Sequence, residues 1–448
     1  MTQLERRIGV PGAIAIGLGA MIGAGLFFVW APAAALAGPM LPAAIALAGG
    51  IAVLNALSTA QLAMEHPVSG GAYAYGRAEV GERVGFAAGW MFLTGKTASA
   101  AAIAVIAGQH LWPEHAQWVA AAAVAALAVL NMLGVRVTAW VSSAIVGVVL
   151  VVVLGALVWA AAGGPTAEPD GWLAYAPLSQ QHVGTSGDFV FVGGTGGVPA
   201  AGPLGWLTAT GLLFFAFAGY ARMATLGEEV RRPRRTLPIA IIVGLAVVLA
   251  LYAAAGWATS ARLGALLPVS ATPLADLVGD PVLHVVVLGA GALACLGSLM
   301  GILAGLSRTG LAMARNGDLP GPLGLIADRT RTPVVAEATT ALVAIAAALL
   351  LPAGSLVAFS STCVLTYYAI AHLSAVRMRA ASRARAGASD AGASGAVRMW
   401  LPAWVPWLGM VACLAVVLTL PWLGVLGAVA WLALGLAARA LLRRRATR

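Results

Sequence analysis

The sequence predicts an all-α polytopic membrane protein with twelve transmembrane helices. Three observations carry that reading. Hydrophobic residues make up 61% and charged residues 9% of the 448, against about 45–50% and 25% in a soluble domain. Apolar runs of about 20 residues, long enough to cross the hydrocarbon layer as a helix, recur along the whole chain. Arginines concentrate in alternate loops, the charge bias that orients helical membrane proteins. A net charge of +10 would suggest nucleic acid in a soluble protein. Here topology accounts for it, and the bilayer rather than nucleic acid is the expected partner.

The expected spans are 8–36, 40–64, 84–111, 118–133, 139–162, 206–226, 237–260, 282–313, 334–351, 355–376, 406–420 and 422–442. The fourth and eleventh are the shortest. An even count places both ends on one face. That face receives Arg6, Arg7, Arg77, Arg83, Arg136, the run Arg231-Arg232-Pro233-Arg234-Arg235, Arg315, Arg329, Arg331, the arginines of 377–398 and the tail Arg443-Arg444-Arg445. The opposite loops hold only Arg262. The asymmetry predicts a multi-pass protein of the cytoplasmic membrane with both termini in the cytoplasm. The first apolar run is too long for the h-region of a cleavable signal peptide. Cys295, Cys363 and Cys413 lie inside apolar segments, which suits packing better than a disulfide set or a metal cluster.

Two stretches break the pattern. Residues 163–205 are rich in Gly, Pro and Thr and fall on the outer face. A loop that long is either functional, for example a cover over a gate, or merely flexible. Residues 378–400 are of low complexity and read as a cytoplasmic linker before the last two helices, which occupy 401–448.

The first span reads IGVPGAIAIGLGAMIGAGLFFVW, with Gly17, Gly19, Gly23 and Gly25 near mid-membrane. Small residues at such spacing can serve close helix packing. They also permit a broken helix. Unwinding frees backbone groups, which is tolerated at that depth only where they line a cavity. The second half-helix then presents amides and a positive dipole end to an anion such as a carboxylate. The sixth span offers a counterpart, with Gly219 among Phe214, Phe215, Phe217 and Tyr220. The two spans correspond if the first ten form two sets of five, 1–165 and 206–377. Paired glycine-interrupted helices in corresponding positions point to a transporter site between inverted repeats.

Lys96 is the single lysine and lies halfway along the third span. A charge there costs roughly 3 kcal/mol or more, so it is a functional candidate by default. Its side chain cannot reach water from that depth by snorkelling. It must face a cavity, pair with a carbonyl or lose its proton. Every carboxylate is expected near a helix end or in a loop. The six histidines, His66, His110, His115, His182, His284 and His372, are expected near helix ends or in loops too. No constellation for enzymatic chemistry is visible, and no metal or cofactor is expected.

Four blocks then become familiar. GLGAMIGAGLF, EHPVSGGAYAYGRAEVGERVGFAAGW, FFAFAGYARMATLGEEVRRPRRTLPIAI and LSRTGLAMARNGDLP resemble, in this order, segments of the amino acid–polyamine–organocation (APC) superfamily of transporters, over essentially the whole chain. The resemblance implies a LeuT-like fold, a 5+5 inverted repeat plus two C-terminal helices, and transport of an amino acid. It implies that the substrate carboxylate meets backbone amides at Gly23, Ala24 and Gly25, with Ile22 in the same unwound stretch. It implies that carbonyls of Met21, Phe215 and Ala218, beside Gly219, receive the α-ammonium group, and that Phe215 is an aromatic gate. Packing or a lipid-facing position remains the plain alternative for Phe215.

Departures from the family pattern bear on substrate and coupling. Where relatives that carry basic amino acids have a glutamate, this chain has Ala221, followed by Arg222. Where proton-coupled relatives place a lysine in the fifth helix, it has Val148 and Val149. The positions matching sodium ligands are Ala304 and Ser307, next to Arg308. A guanidinium there would repel a cation, unless Arg308 turns toward the cytoplasm. The expectation is a secondary active, proton-coupled permease for a neutral amino acid, with Lys96 as the proton-responsive group. The alternatives are an uncoupled exchanger or exporter, and an acidic amino acid as substrate.

Overall fold

The computed structural model describes residues 6–167, 204–270, 272–388 and 401–446. The expected outer loop 163–205 and linker 378–400 therefore fall largely outside the described residues. Among those residues the regular structure is helical, with one isolated bridge between Ile8 and Val230. Among the described residues, nine stretches are long and apolar enough to cross a membrane. Three shorter apolar helices, Ala116–Met132, Val334–Leu350 and Trp404–Val417, accompany them.

The first expected span is interrupted. It consists of α1 (Val10–Met21), α2 (Ala24–Phe28) and α3 (Trp30–Ala37). The break lies at Ile22 and Gly23, whose ψ of 82° and φ/ψ of −146°/−145° leave the helical region. Val29, between α2 and α3, keeps helical dihedrals, so those two run on together. Gly38, at φ +49°, then ends the segment, a conformation glycine adopts without cost.

The remaining helices follow in order: α4 (Leu41–Glu65), α5 (Ala72–Glu79), α6 (Glu82–Leu111), α7 (Ala116–Met132), α8 (Val135–Ala161), α9 (Gly205–Phe217), α10 (Ala221–Ala224), α11 (Pro233–Leu263), α12 (Pro281–Arg315), α13 (Val334–Leu350), α14 (Ala353–Ala388), α15 (Trp404–Val417) and α16 (Trp422–Ala446). Local signals explain several ends. Proline occupies the first turn of α1, α4, α11 and α12, where a missing N–H costs nothing. Asp280 caps α12 by accepting from the amides of Val282 and Leu283 at 3.0 and 2.9 Å. α14 continues to Ala388, so the first part of the expected linker is helical. A low-complexity run of Ala and Arg has good helix propensity, and composition alone hid that.

α6 packs along α12 and α14, α1 against α8, α11 and α12, and α9 against α3 and α4. One end of the molecule gathers the first described residues and the last described helix. Arg7 and Ile8 donate from their amides to the Glu229 carbonyl, both at 3.0 Å, and the Arg231 amide donates back to Ile8 at 2.8 Å. At the same end, Asp318 accepts from Tyr73 of α5 at 2.8 Å and from Arg439 of α16 at 2.7 Å.

Candidate functional site

The sixth expected span is broken as well. α9 stops at Phe217, a 3₁₀ turn covers Ala218–Tyr220, and α10 resumes for four residues. The two breaks lie against each other. A Cβ on Gly219 would overlap the Ala20 carbonyl, and Met21 Cγ would be only 2.6 Å away. Only glycine lets the backbones approach this closely. Gly25 behaves alike: a Cβ there would lie 2.7 Å from the Ala216 Cα on α9 and 2.8 Å from the Tyr252 hydroxyl. The packing and broken-helix readings of these glycines therefore hold together.

Unwinding frees carbonyls, and each finds a donor. Ala20 accepts from the Ser298 hydroxyl at 3.2 Å and Met21 from the Tyr252 hydroxyl at 3.0 Å. Ala218 accepts from Lys96 Nζ at 3.2 Å and from the Tyr368 hydroxyl at 3.3 Å. Phe215 accepts from the Ala218 amide. Lys96 itself is buried. Of its three expected outcomes, the pairing with a carbonyl is the one observed. The amides of Ala24 and Gly25 open a helix, and first-turn amides have no acceptor in their own ladder.

Aromatic rings close around these groups. Phe217 and Trp30 lie 4.8 and 5.7 Å from Tyr252, between centroids. Phe214 and Tyr220 lie 5.7 and 5.1 Å from Tyr368. Phe215 is half-buried and packs against the hydrophobic core. Tyr252, Ser298 and Tyr368 were not legible as site residues. A lone hydroxyl in an apolar helix carries no signal until its acceptor is known.

Cavities at this level are small. One of about 10 Å³ is lined by Phe27, Phe28, Gly291 and Cys295 among others. Another of about 10 Å³ lies beside Tyr75, Phe92, Thr225 and Tyr368. Each has room for about one water.

Two expectations about buried charge are corrected, the solitary Lys96 and the shallow His372. Arg308 takes the first of its two readings, beside Ala304 and Ser307 and not turned to the cytoplasm; it is 1% exposed. Its guanidinium donates to Glu229 from Nη2 at 2.9 Å and from Nε at 3.2 Å, and Nη1 reaches the Ala304 carbonyl at 3.2 Å and the Ser307 hydroxyl at 3.1 Å. The two positions matching sodium ligands are thus occupied by a cation of the chain itself. Glu337, on the first turn of α13, is buried beside it and accepts from Asn131 at 2.8 Å. Arg222 is buried too, donating to Thr225 at 2.8 Å while its Nε and Nη2 lack partners among the described residues. Lys96 is therefore not alone as a buried cation. His372 lies deep in α14, fully buried, with Nδ1 3.0 Å from the Ser58 hydroxyl and Nε2 bonded to Asn55 Oδ1. The amide oxygen only accepts, so Nε2 carries the proton and Nδ1 accepts.

Two interrupted helices back to back inside an all-helical membrane bundle define a transporter core. Comparison with known families agrees: the amino acid permease family model matches residues 12–432. The chain belongs to the amino acid permease family, and is a transporter rather than an enzyme. It is 41% identical to an uncharacterized transporter of Mycobacterium tuberculosis over 452 residues, covering 99% of this chain and 93% of the relative. It is 29% identical to vacuolar cationic amino acid transporter 2 of Arabidopsis thaliana, over 84% of this chain and 60% of that one. It is 27% identical to the branched-chain amino acid permease BcaP of Bacillus subtilis, over 75% and 72%.

Proposed function

We propose that this permease is a secondary active transporter with twelve spans, a 5+5 inverted repeat and two further helices, working by alternating access around the paired breaks. It resides in the cytoplasmic membrane with both termini inside. The observation that carries the reading is the hydrogen bond from Lys96 to the freed carbonyl of Ala218. A titratable group is thereby attached to the backbone that must rearrange. Proton exchange at Lys96 alters that contact, and alternating access needs only a few kcal/mol of differential stabilisation.

A zwitterion needs donors for one end and acceptors for the other. The first-turn amides of Ala24 and Gly25 suit the carboxylate, behind the N-cap Gly23, whose own amide now donates to the Met21 carbonyl at 3.1 Å, and the carbonyls of Met21 and Ala218 suit the ammonium group. In the described state those carbonyls hold Tyr252 and Lys96, so substrate entry exchanges internal donors for its own. A neutral amino acid fits best. A cationic side chain, as in the name of the Arabidopsis relative, would meet Lys96 and Arg222. A branched-chain side chain, as in the name of the Bacillus relative, would meet rings and methyl groups. Sodium coupling is disfavoured by Arg308 on Ala304 and Ser307. An uncoupled exchanger is the second reading, favoured if the Lys96 contact is purely structural.

Counterflow in proteoliposomes tests the class. Unlabelled neutral amino acid inside should accelerate entry of labelled substrate. A flux with no trans-stimulation by any amino acid would replace the carrier with a channel.

A further inference from the structure

We propose that a groove on the outer side of the bundle, remote from the paired breaks, binds one acyl chain of an anionic phospholipid, with the headgroup at the arginine-rich end. The groove is a cavity of about 700 Å³ between α6, α13, α14 and α16. That volume is within the range of about 300–1,000 Å³ typical of ligand sites. None of its lining residues belongs to the interrupted helices.

Its wall is chemically dry. Thr94, Thr97, Thr339 and Thr340 line it, and each hydroxyl donates to a carbonyl four residues back on its own helix, at 2.7–2.9 Å. Water entering would find few partners. Val343, Leu351, Trp422 and Leu423 line the groove and are exposed, so its mouth opens where spanning helices meet hydrocarbon. An unfilled apolar space loses its dispersion contacts outright, and in a bilayer an acyl chain is the filler at hand. The lining runs from Ala336 to Leu351, roughly 22 Å at the rise of an α-helix. A single leaflet's hydrocarbon is about 15 Å deep.

One end of the groove carries charge. Trp90 lines it, stacks on Trp431 at 6.0 Å and on Phe86 at 5.8 Å, and the Arg439 guanidinium sits 5.3 Å from the Phe86 ring centroid. Arg77, Arg439 and Arg443 there share the carboxylates of Glu82 and Asp318. Three cations on two anions leave a surplus positive charge, which a lipid phosphate complements. A second copy of the chain, related by a two-fold axis along the membrane normal, would bring another positive cluster to the same level. That arrangement is electrostatically disfavoured.

The full-length protein, delipidated in mild detergent, is offered phosphatidylglycerol or phosphatidylcholine, and retained lipid is read by native mass spectrometry. The wild type should hold about one phosphatidylglycerol per chain and prefer it to phosphatidylcholine. Arg443→Gln should reduce that preference about fivefold, the effect of one basic residue near a lipid surface. Ala347→Trp with Val343→Trp should fill the groove and lose the bound lipid, while counterflow persists and the protein stays monodisperse. Retention of both lipids equally by the wild type overturns the proposal. So does full retention by the groove-filled variant, or a dimer cross-linked through cysteines at Leu342. If the filled variant does not fold, the lipid preference of wild type against Arg443→Gln still decides.

Discussion

Lys96 of α6 donates to the carbonyl oxygen of Ala218, 122 residues away, at 3.2 Å across the break in the sixth span. The bond joins a titratable amine to the backbone that α9 leaves unpaired. Lys96→Met keeps the bulk and removes the donor. Exchange of labelled for unlabelled substrate should persist, while uptake driven by a pH gradient should vanish. Melting temperature should fall, since a hydrogen bond to a charged group contributes about 1.5–3 kcal/mol. If the variant still concentrates substrate from a proton gradient alone, the amine is structural and the uncoupled-exchanger reading takes its place.

Gly25 packs on Ala216 too closely to admit a methyl group. Gly25→Ala should destabilise by about 1–3 kcal/mol, the usual cost of overpacking, and should slow transport. Ala216→Gly added to it should recover part of both. Wild-type melting in the single variant would mean that the two helices are not in contact in the membrane. The test also separates packing from substrate contact, which a bulky residue at Gly25 would confound.

Arg308 sits between Glu229 and Glu337. Arg308→Met leaves two buried carboxylates without their cation, a loss of about 3–5 kcal/mol by analogy with other buried pairs. Glu229→Gln in the same chain should restore part of the melting temperature. Removing the cation should not create sodium-dependent uptake unless the neighbouring carbonyls also re-form a cage, so sodium dependence is worth measuring in the double variant. An unchanged melting point in Arg308→Met would count against the buried pair.

Glu82 starts α6 at the arginine-rich end. A hydrogen bond from Arg443 does most to hold its carboxyl below the usual range; desolvation opposes it, and the charges of Arg77, Arg443 and Arg439 add to the lowering. Its folded value lies under its unfolded value. The stabilisation is therefore present above the unfolded value and lost as pH falls through the folded one. Arg443→Gln should flatten the acid side of a plot of melting temperature against pH, most visibly at low salt. Identical slopes for variant and wild type would exclude that contact from the acid response.

Val269 and Arg234 are both exposed and lie at opposite ends of α11, Arg234 in its first turn and Val269 in the 3₁₀ stretch that follows it. A cysteine at Val269 should react with an impermeant thiol reagent in intact cells, and one at Arg234 should not. The native cysteines are buried and should stay silent. Reversed labelling would invert the orientation.

The class of protein, its apolar helical character and the two places where helices break were legible in the sequence. These are local properties. Apolar length, proline and glycine positions and loop charge act within a span or its ends, so they survive without knowing what packs where. The solitary Lys96 and the shallow His372 were misjudged for one reason. Whether a side chain is paired depends on its helix's rotation and depth relative to other helices. Tyr252 meets the Met21 carbonyl across 231 positions, Ser298 meets Ala20 across 278, and His372 meets Asn55 across 317. No periodicity encodes such distances. Only the packed bundle decides which freed carbonyl finds which hydroxyl or amine, because a buried polar group must find its partner wherever the tertiary structure brings one within about 3 Å.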